Sequence, residues 1–194
     1  MGRMQKRVFC GVACVAVTIA IVRPGVPATA AQSASPTVPK ESAYALIPAA
    51  SRVAAPDFVL TDVNGRKITL SRYRGKVVLL DFWAVNCGGC KVEIPWYVEF
   101  DHEYRSQGLR LIGIDMYGEK PEMIRPFMAK SGMVYPVAVG DDALGARFGL
   151  QAMPLTLLID RGGRIAVSHA GIVDKRKFEN DIQELLQSRS GQKP

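Results

Sequence analysis

Residues 77–90 read VVLLDFWAVNCGGC, and this stretch decides the fold. Val77 to Trp83 is an apolar run broken by one carboxylate, Asp81, which is the pattern of a strand buried on both faces. Ala84, Val85 and Asn86 lead into Cys87-Gly88-Gly89-Cys90, and residues 88 to about 106 read as a helix interrupted by Pro95 and closed by Gly108. Two cysteines at this spacing could be half of a zinc site. A structural zinc needs four ligands, however, and the only histidines, His102 and His169, lie far apart in sequence. Between a strand and a helix the pair reads as redox-active.

The placement has a chemical consequence. Cys87 falls at a helix N-terminus, where unpaired N–H groups and the helix dipole favour a thiolate. That thiolate is the species that attacks disulfides. Cys90 lies one turn later and can resolve the mixed disulfide that Cys87 forms. Asp81 is costly in a buried strand unless it is paired or functional. With a raised pKa it could accept the proton of Cys90; the alternative is a strand-end carboxylate bonded to backbone. Glu93 shares the helix face of Cys90 and could relay a proton or be a solvated helix residue. Pro154, before the run LTLLI, is a candidate cis proline that would leave the Met153 backbone free to pair with an extended substrate segment. Trp83 and Trp96 flank the site as packing residues, Trp83 also as a candidate for the substrate-facing surface.

Outward from this centre, strand and helix signals alternate. Phe58–Thr61 and Lys67–Leu70 flank Asn64-Gly65, a hairpin turn signal. Leu109–Ile114 is a second buried strand, 120–130 a helix despite Pro126, Pro136–Val139 a short strand and Asp142–Phe148 a short helix. Leu155–Asp160 and Arg164–His169 form a hairpin across Arg161-Gly162-Gly163, and Asp174 caps a last helix reaching about Gln187. The expected class is α/β, a mixed central sheet flanked by helices, with an N-terminal β-hairpin.

The chain has 194 residues and a formal net charge of +7, from 25 basic and 18 acidic residues. Arg3, Lys6, Arg7 and Arg23 fall in the first thirty positions with no acidic residue, so the rest carries 21 against 18, or +3. Nothing there interleaves basic and aromatic residues as a nucleic-acid surface would. Residues 1–30 read as an export signal: a basic start, the uncharged run Val8–Val22, and Ala28-Thr29-Ala30 as a cleavage site. An uncleaved anchor is the alternative, although fifteen helical residues rise only about 22 Å. Cys10 and Cys14 would leave with the signal. Residues 31–54, rich in Ala, Ser and Pro, read as a linker that could tether the domain to a membrane surface; the domain is expected over 55–190, with order beginning near Pro56.

The segment DFWAVNCGGCK resembles the active-site segment of thioredoxins. The wider pattern is similar to the membrane-associated thioredoxin-like reductases of the TlpA/ResA type. It includes Pro56-Asp57-Phe58, the run Leu70 to Leu79, Cys-x-x-Cys-x-x-Glu-x-Pro over Cys87–Pro95, and Met153-Pro154-Leu155-Thr156. Residues 118–139 resemble the family's extra strand–helix insertion. The resemblance implies a thioredoxin-like fold, Cys87 as nucleophile, Cys90 as resolving thiol and Pro154 as the cis proline. It also implies reduction of disulfide-bearing exported proteins, as in cytochrome c maturation or copper-site assembly, with electrons from a membrane thiol donor. No cofactor or metal beyond the cysteine pair is expected, and a monomer suffices. Two departures stand out: Gly-Gly between the cysteines, and Asn86 where an aromatic often stands.

Other readings keep the same thiols. One is a disulfide oxidase or isomerase. Another is a copper-binding assembly factor, since Cu(I) accepts two thiolates. A thiol peroxidase would want Thr or Ser three residues before its reactive cysteine, where this chain has Ala84.

Overall fold

Every residue of the run Val77–Trp83 is buried, as its composition requires of a central strand. The computed structural model describes residues 45–188. The expected signal and anchor segment, Cys10, Cys14 and the linker up to residue 44 lie outside the described residues. The strands are β1 (Val59–Thr61), β2 (Lys67–Thr69), β3 (Val77–Trp83), β4 (Leu109–Asp115), β5 (Val137–Val139), β6 (Leu155–Ile159) and β7 (Ile165–Ala170). The α-helices are α1 (Gly88–Tyr104), α2 (Pro121–Ser131), α3 (Asp142–Arg147) and α4 (Lys175–Gln187). Each lies within a residue or two of its sequence expectation.

The main sheet has the order β5-β4-β3-β6-β7. β3 runs parallel to β4 and β4 to β5, while β6 and β7 are antiparallel. It is the mixed sheet expected of a thioredoxin-like fold. Side chains alternate across β3: Val77, Leu79 and Trp83 join a core with α1, α2 and α4, and Val78, Leu80 and Phe82 one with α3 and the β1–β2 hairpin. Both parallel crossovers, through α1 and α2, lie on the same side, as right-handed connections moving one way along a sheet must. Asp81 belongs to the odd set and points toward α1.

Pro95 does not interrupt α1, which is continuous, and Pro126 sits inside α2. Both prolines are on the exposed face of their helix, so water can satisfy the carbonyl each leaves unpaired. Asp174 caps α4, its carboxylate accepting from the Lys177 N–H.

Ordered contacts begin before Pro56. The Ile47 N–H donates to Ala166 O, the Ile165 N–H to Val53 O, and Ala54 bridges Arg164. Arg52 pairs with Asp160 at 3.1 Å. Residues 47–54 of the expected linker thus lie along the outer side of β7. On the far side, Val63 N–H donates to Val137 O and Asp62 bridges Ala138, fastening the hairpin to β5. Among the described residues no helix is long and apolar enough to cross a membrane.

Candidate active site

β3 ends at Trp83, three residues turn the chain, and α1 begins at Gly88 with Cys87 as its N-cap. The Cys87 sulfur accepts from the Cys90 N–H at 3.2 Å, one of the first-turn donors that a helix leaves unpaired. The two cysteines are joined in a disulfide, with Cα atoms 5.3 Å apart. Cys87 is half-buried and Cys90 is 1% exposed, so attack from outside reaches Cys87 first.

The Met153–Pro154 bond is cis and lies against the disulfide turn. A Cβ on Gly89 would come within 3.0 Å of Pro154 Cδ and 3.4 Å of Ile172 Cγ1. One on Gly88 would meet nothing within 4 Å. The second glycine of the pair is therefore what lets the proline loop approach. Pro154 is buried and its carbonyl accepts from the Gly171 N–H at 2.8 Å. No hydrogen bond within the described residues engages the Met153 backbone.

Glu93, three residues after Cys90 on α1, belongs with Asp81, Tyr97 and Thr156 to a buried polar floor. Asp81 is 2% exposed, and neither carboxylate oxygen has a hydrogen-bond partner within the described residues. Burial, then the charge of Glu93, pushes its pKa well above the usual range. Glu93 is not solvated: it is fully buried, and its Oε1 accepts from the Val173 N–H at 2.7 Å. Burial raises it to about 7, against the lowering by that hydrogen bond. Thr156 stands opposite Asp81 across the β3–β6 pair, and its Oγ1 meets the Tyr97 hydroxyl at 2.8 Å. Burial, then the charges of Asp81 and Glu93, drives the Tyr97 phenol well above 10. Such a floor can take up a proton from a buried thiol at neutral pH.

Trp83 does not reach the substrate-facing surface for which it was a candidate. It is fully buried and stacks on Phe127 with ring centroids 5.2 Å apart, so it cannot line a substrate surface. Gly113 on β4 makes room for it, since a Cβ there would come within 2.9 Å of the indole nitrogen. The odd-numbered side of β3 faces α1 and α2, which explains the burial. Among the described residues no group of three or more His, Cys, Asp and Glu could hold a metal ion.

Residues 52–168 match the model of the AhpC/TSA family. The chain belongs to that family. Two thiol-disulfide oxidoreductases named ResA are among its relatives. The one from Geobacillus thermodenitrificans (strain NG80-2) is 35% identical over 133 residues, covering 68% of this chain and 75% of the relative. The one from Bacillus subtilis (strain 168) is 35% identical over 134 residues, covering 68% and 73%. A solved thiol:disulfide interchange protein from Chlorobium tepidum TLS superposes with a TM-score of 0.64 at 26% identity, covering 70% of this chain and 97% of that one. Fold, cysteine pair and relatives make this AhpC/TSA member a thioredoxin-like thiol–disulfide oxidoreductase.

In this family member the sequence reading missed several groups. Glu119 accepts the Val85 N–H at 3.1 Å, two residues before Cys87. Its own N–H donates to Asp115 at 3.0 Å. Asp115 ends β4 fully buried, and burial, then the Glu119 carboxyl beside it, raises its pKa to about 7. The signal was a carboxylate closing an apolar strand, the argument already applied to Asp81. Tyr97, Thr156 and His169, which joins the floor from β7, carried no such signal. His102 is exposed on α1.

Proposed function

We propose that the protein reduces disulfides of exported proteins, taking its electrons from a membrane thiol donor. The observation that carries this reading is a buried Cys90 with two buried carboxyl groups, Asp81 and Glu93, whose pKa values burial raises, Glu93 to about 7, behind a half-buried Cys87. The Cys87 thiolate attacks one sulfur of a substrate disulfide; that bond breaks, a Cys87–substrate disulfide forms, and the other substrate sulfur leaves as a thiolate. Cys90 then gives its proton to Asp81 or Glu93 and attacks the Cys87 sulfur. The Cys87–Cys90 disulfide forms, and the second substrate sulfur departs. Two electrons pass from the dithiol to the substrate, and a donor dithiol restores the enzyme by the reverse exchange.

An extended substrate segment pairs with the free Met153 backbone beside the disulfide. Export is supported by the basic, apolar and small-residue succession over residues 1–30. Apocytochrome c and copper-site proteins are the substrate classes the resemblance to TlpA/ResA-type reductases suggests. The deciding test is the reduction potential of the domain against a thiol buffer series, read by tryptophan fluorescence. A value near about −270 mV supports a reductase, and one near about −120 mV would make the protein an oxidant.

A further inference from the structure

One peptide group joins two side chains of the floor. The Val173 N–H donates to Glu93 Oε1 at 2.7 Å, and the carbonyl of the same peptide, Ile172 O, meets His169 Nε2 at 3.2 Å. A carbonyl oxygen can only accept, so Nε2 carries the hydrogen. Hydrogen bonds at the two ends of a peptide polarise one another, and donation to the carbonyl strengthens the N–H as a donor. His169 is 8% exposed on β7, in register with Thr156, which is itself in register with Asp81. Asp81, Thr156 and His169 form a row across three strands. The Ile172 side chain lies 3.4 Å from where a Gly89 Cβ would stand, so the clamped peptide also borders the disulfide turn.

We propose that His169 is a positioning residue of thiol–disulfide exchange: through the Ile172–Val173 peptide it holds Glu93 against the floor and Ile172 against the cysteine turn. This rests on the reading of Glu93 as a proton acceptor for Cys90. The titratable groups around Glu93 are Asp81 from β3, Cys90 and Tyr97 from α1, and His169 from β7. Weakening the Val173 donor removes an influence that lowers the Glu93 pKa, so its protonation moves to higher pH.

The test compares His169→Leu, which lacks a donor, with His169→Gln, which keeps one. Single-turnover reduction of a small aromatic disulfide is followed by tryptophan fluorescence from mildly acid to mildly alkaline pH. His169→Leu should raise the midpoint of the acid limb by about half a pH unit or more, His169→Gln should hold it, and His169→Leu should add no shift in a Glu93→Gln background. A midpoint unmoved by His169→Leu, or a shift that persists without Glu93, would overturn the proposal. Nitrogen NMR of the unmodified protein gives a second reading that needs no variant: a neutral His169 should carry its proton on Nε2, and a bare Nε2 would sink the idea. The potential decides separately whether the enzyme reduces or oxidises, so failure of that reading leaves these outcomes interpretable.

Discussion

Glu119 holds the backbone N–H of Val85 at 3.1 Å, reaching from the segment after β4 to the turn that delivers Cys87. Its neighbour Asp115 is buried, with a pKa pushed to about 7 from an ordinary 3.8. A carboxyl raised in the folded state binds its proton more tightly there than in the unfolded chain. Its stabilising contribution is complete below about pH 4 and is lost as pH rises through about 7. Asp115→Asn should flatten that fall by up to about 3 kcal/mol, measured as urea unfolding at a series of pH values. Equal slopes in both proteins would refute the assignment.

The two cysteines should behave differently on substitution. Cys87 is half-buried and Cys90 is 1% exposed. Cys90→Ser should therefore accumulate a mixed disulfide through Cys87, visible by mass spectrometry, and Cys87→Ser should reduce turnover to background. Full activity in Cys87→Ser would reverse the assignment of nucleophile.

Asp81 and Glu93 should show themselves in the pH–rate profile of the resolving step. Each accepts a proton only when ionised, so the rate falls as pH drops through their raised pKa values, about 7 for Glu93. Asp81→Asn should slow the step by about 10²-fold at pH values where Asp81 is ionised, and the two proteins should converge as pH falls below its raised pKa. An unchanged profile would count against a relay through Asp81.

The two active-site glycines are not equivalent. Gly89→Ala forces a Cβ within 3.0 Å of Pro154 Cδ and should cost about 1–3 kcal/mol of stability, with slower exchange. Gly88→Ala meets nothing within 4 Å and should be neutral or stabilising by up to about 1 kcal/mol. Thermal unfolding and disulfide-reduction rates of both variants provide the comparison.

These contrasts mark what was legible in the sequence. β3 was readable because a seven-residue run with one carboxylate among apolar residues admits little else, and the cysteine pair because its strand–helix setting and the lack of further ligands nearby in sequence argue against a structural zinc. Asp81 stood out as a carboxylate in that run. Which side of β3 carries Trp83 depends on where α1 and α2 pack, so its burial was hidden. The partners of Glu93 and Tyr97 lie 80 and 59 residues away, and no local pattern announces them. The docking of residues 47–54 was masked by a composition that equally suits a free spacer.

Both borders of the main sheet are occupied, β7 in its first half by residues 47–54 and β5 by the turn of the hairpin at Asp62 and Val63. A sheet with free margins recruits strands indiscriminately and invites aggregation. Next to the disulfide, the Met153 backbone makes no hydrogen bond within the described residues. Partial cover of its margins thus narrows where foreign backbone can add to the sheet, and the proposed substrate contact at Met153 keeps an open stretch of backbone beside the bond to be exchanged.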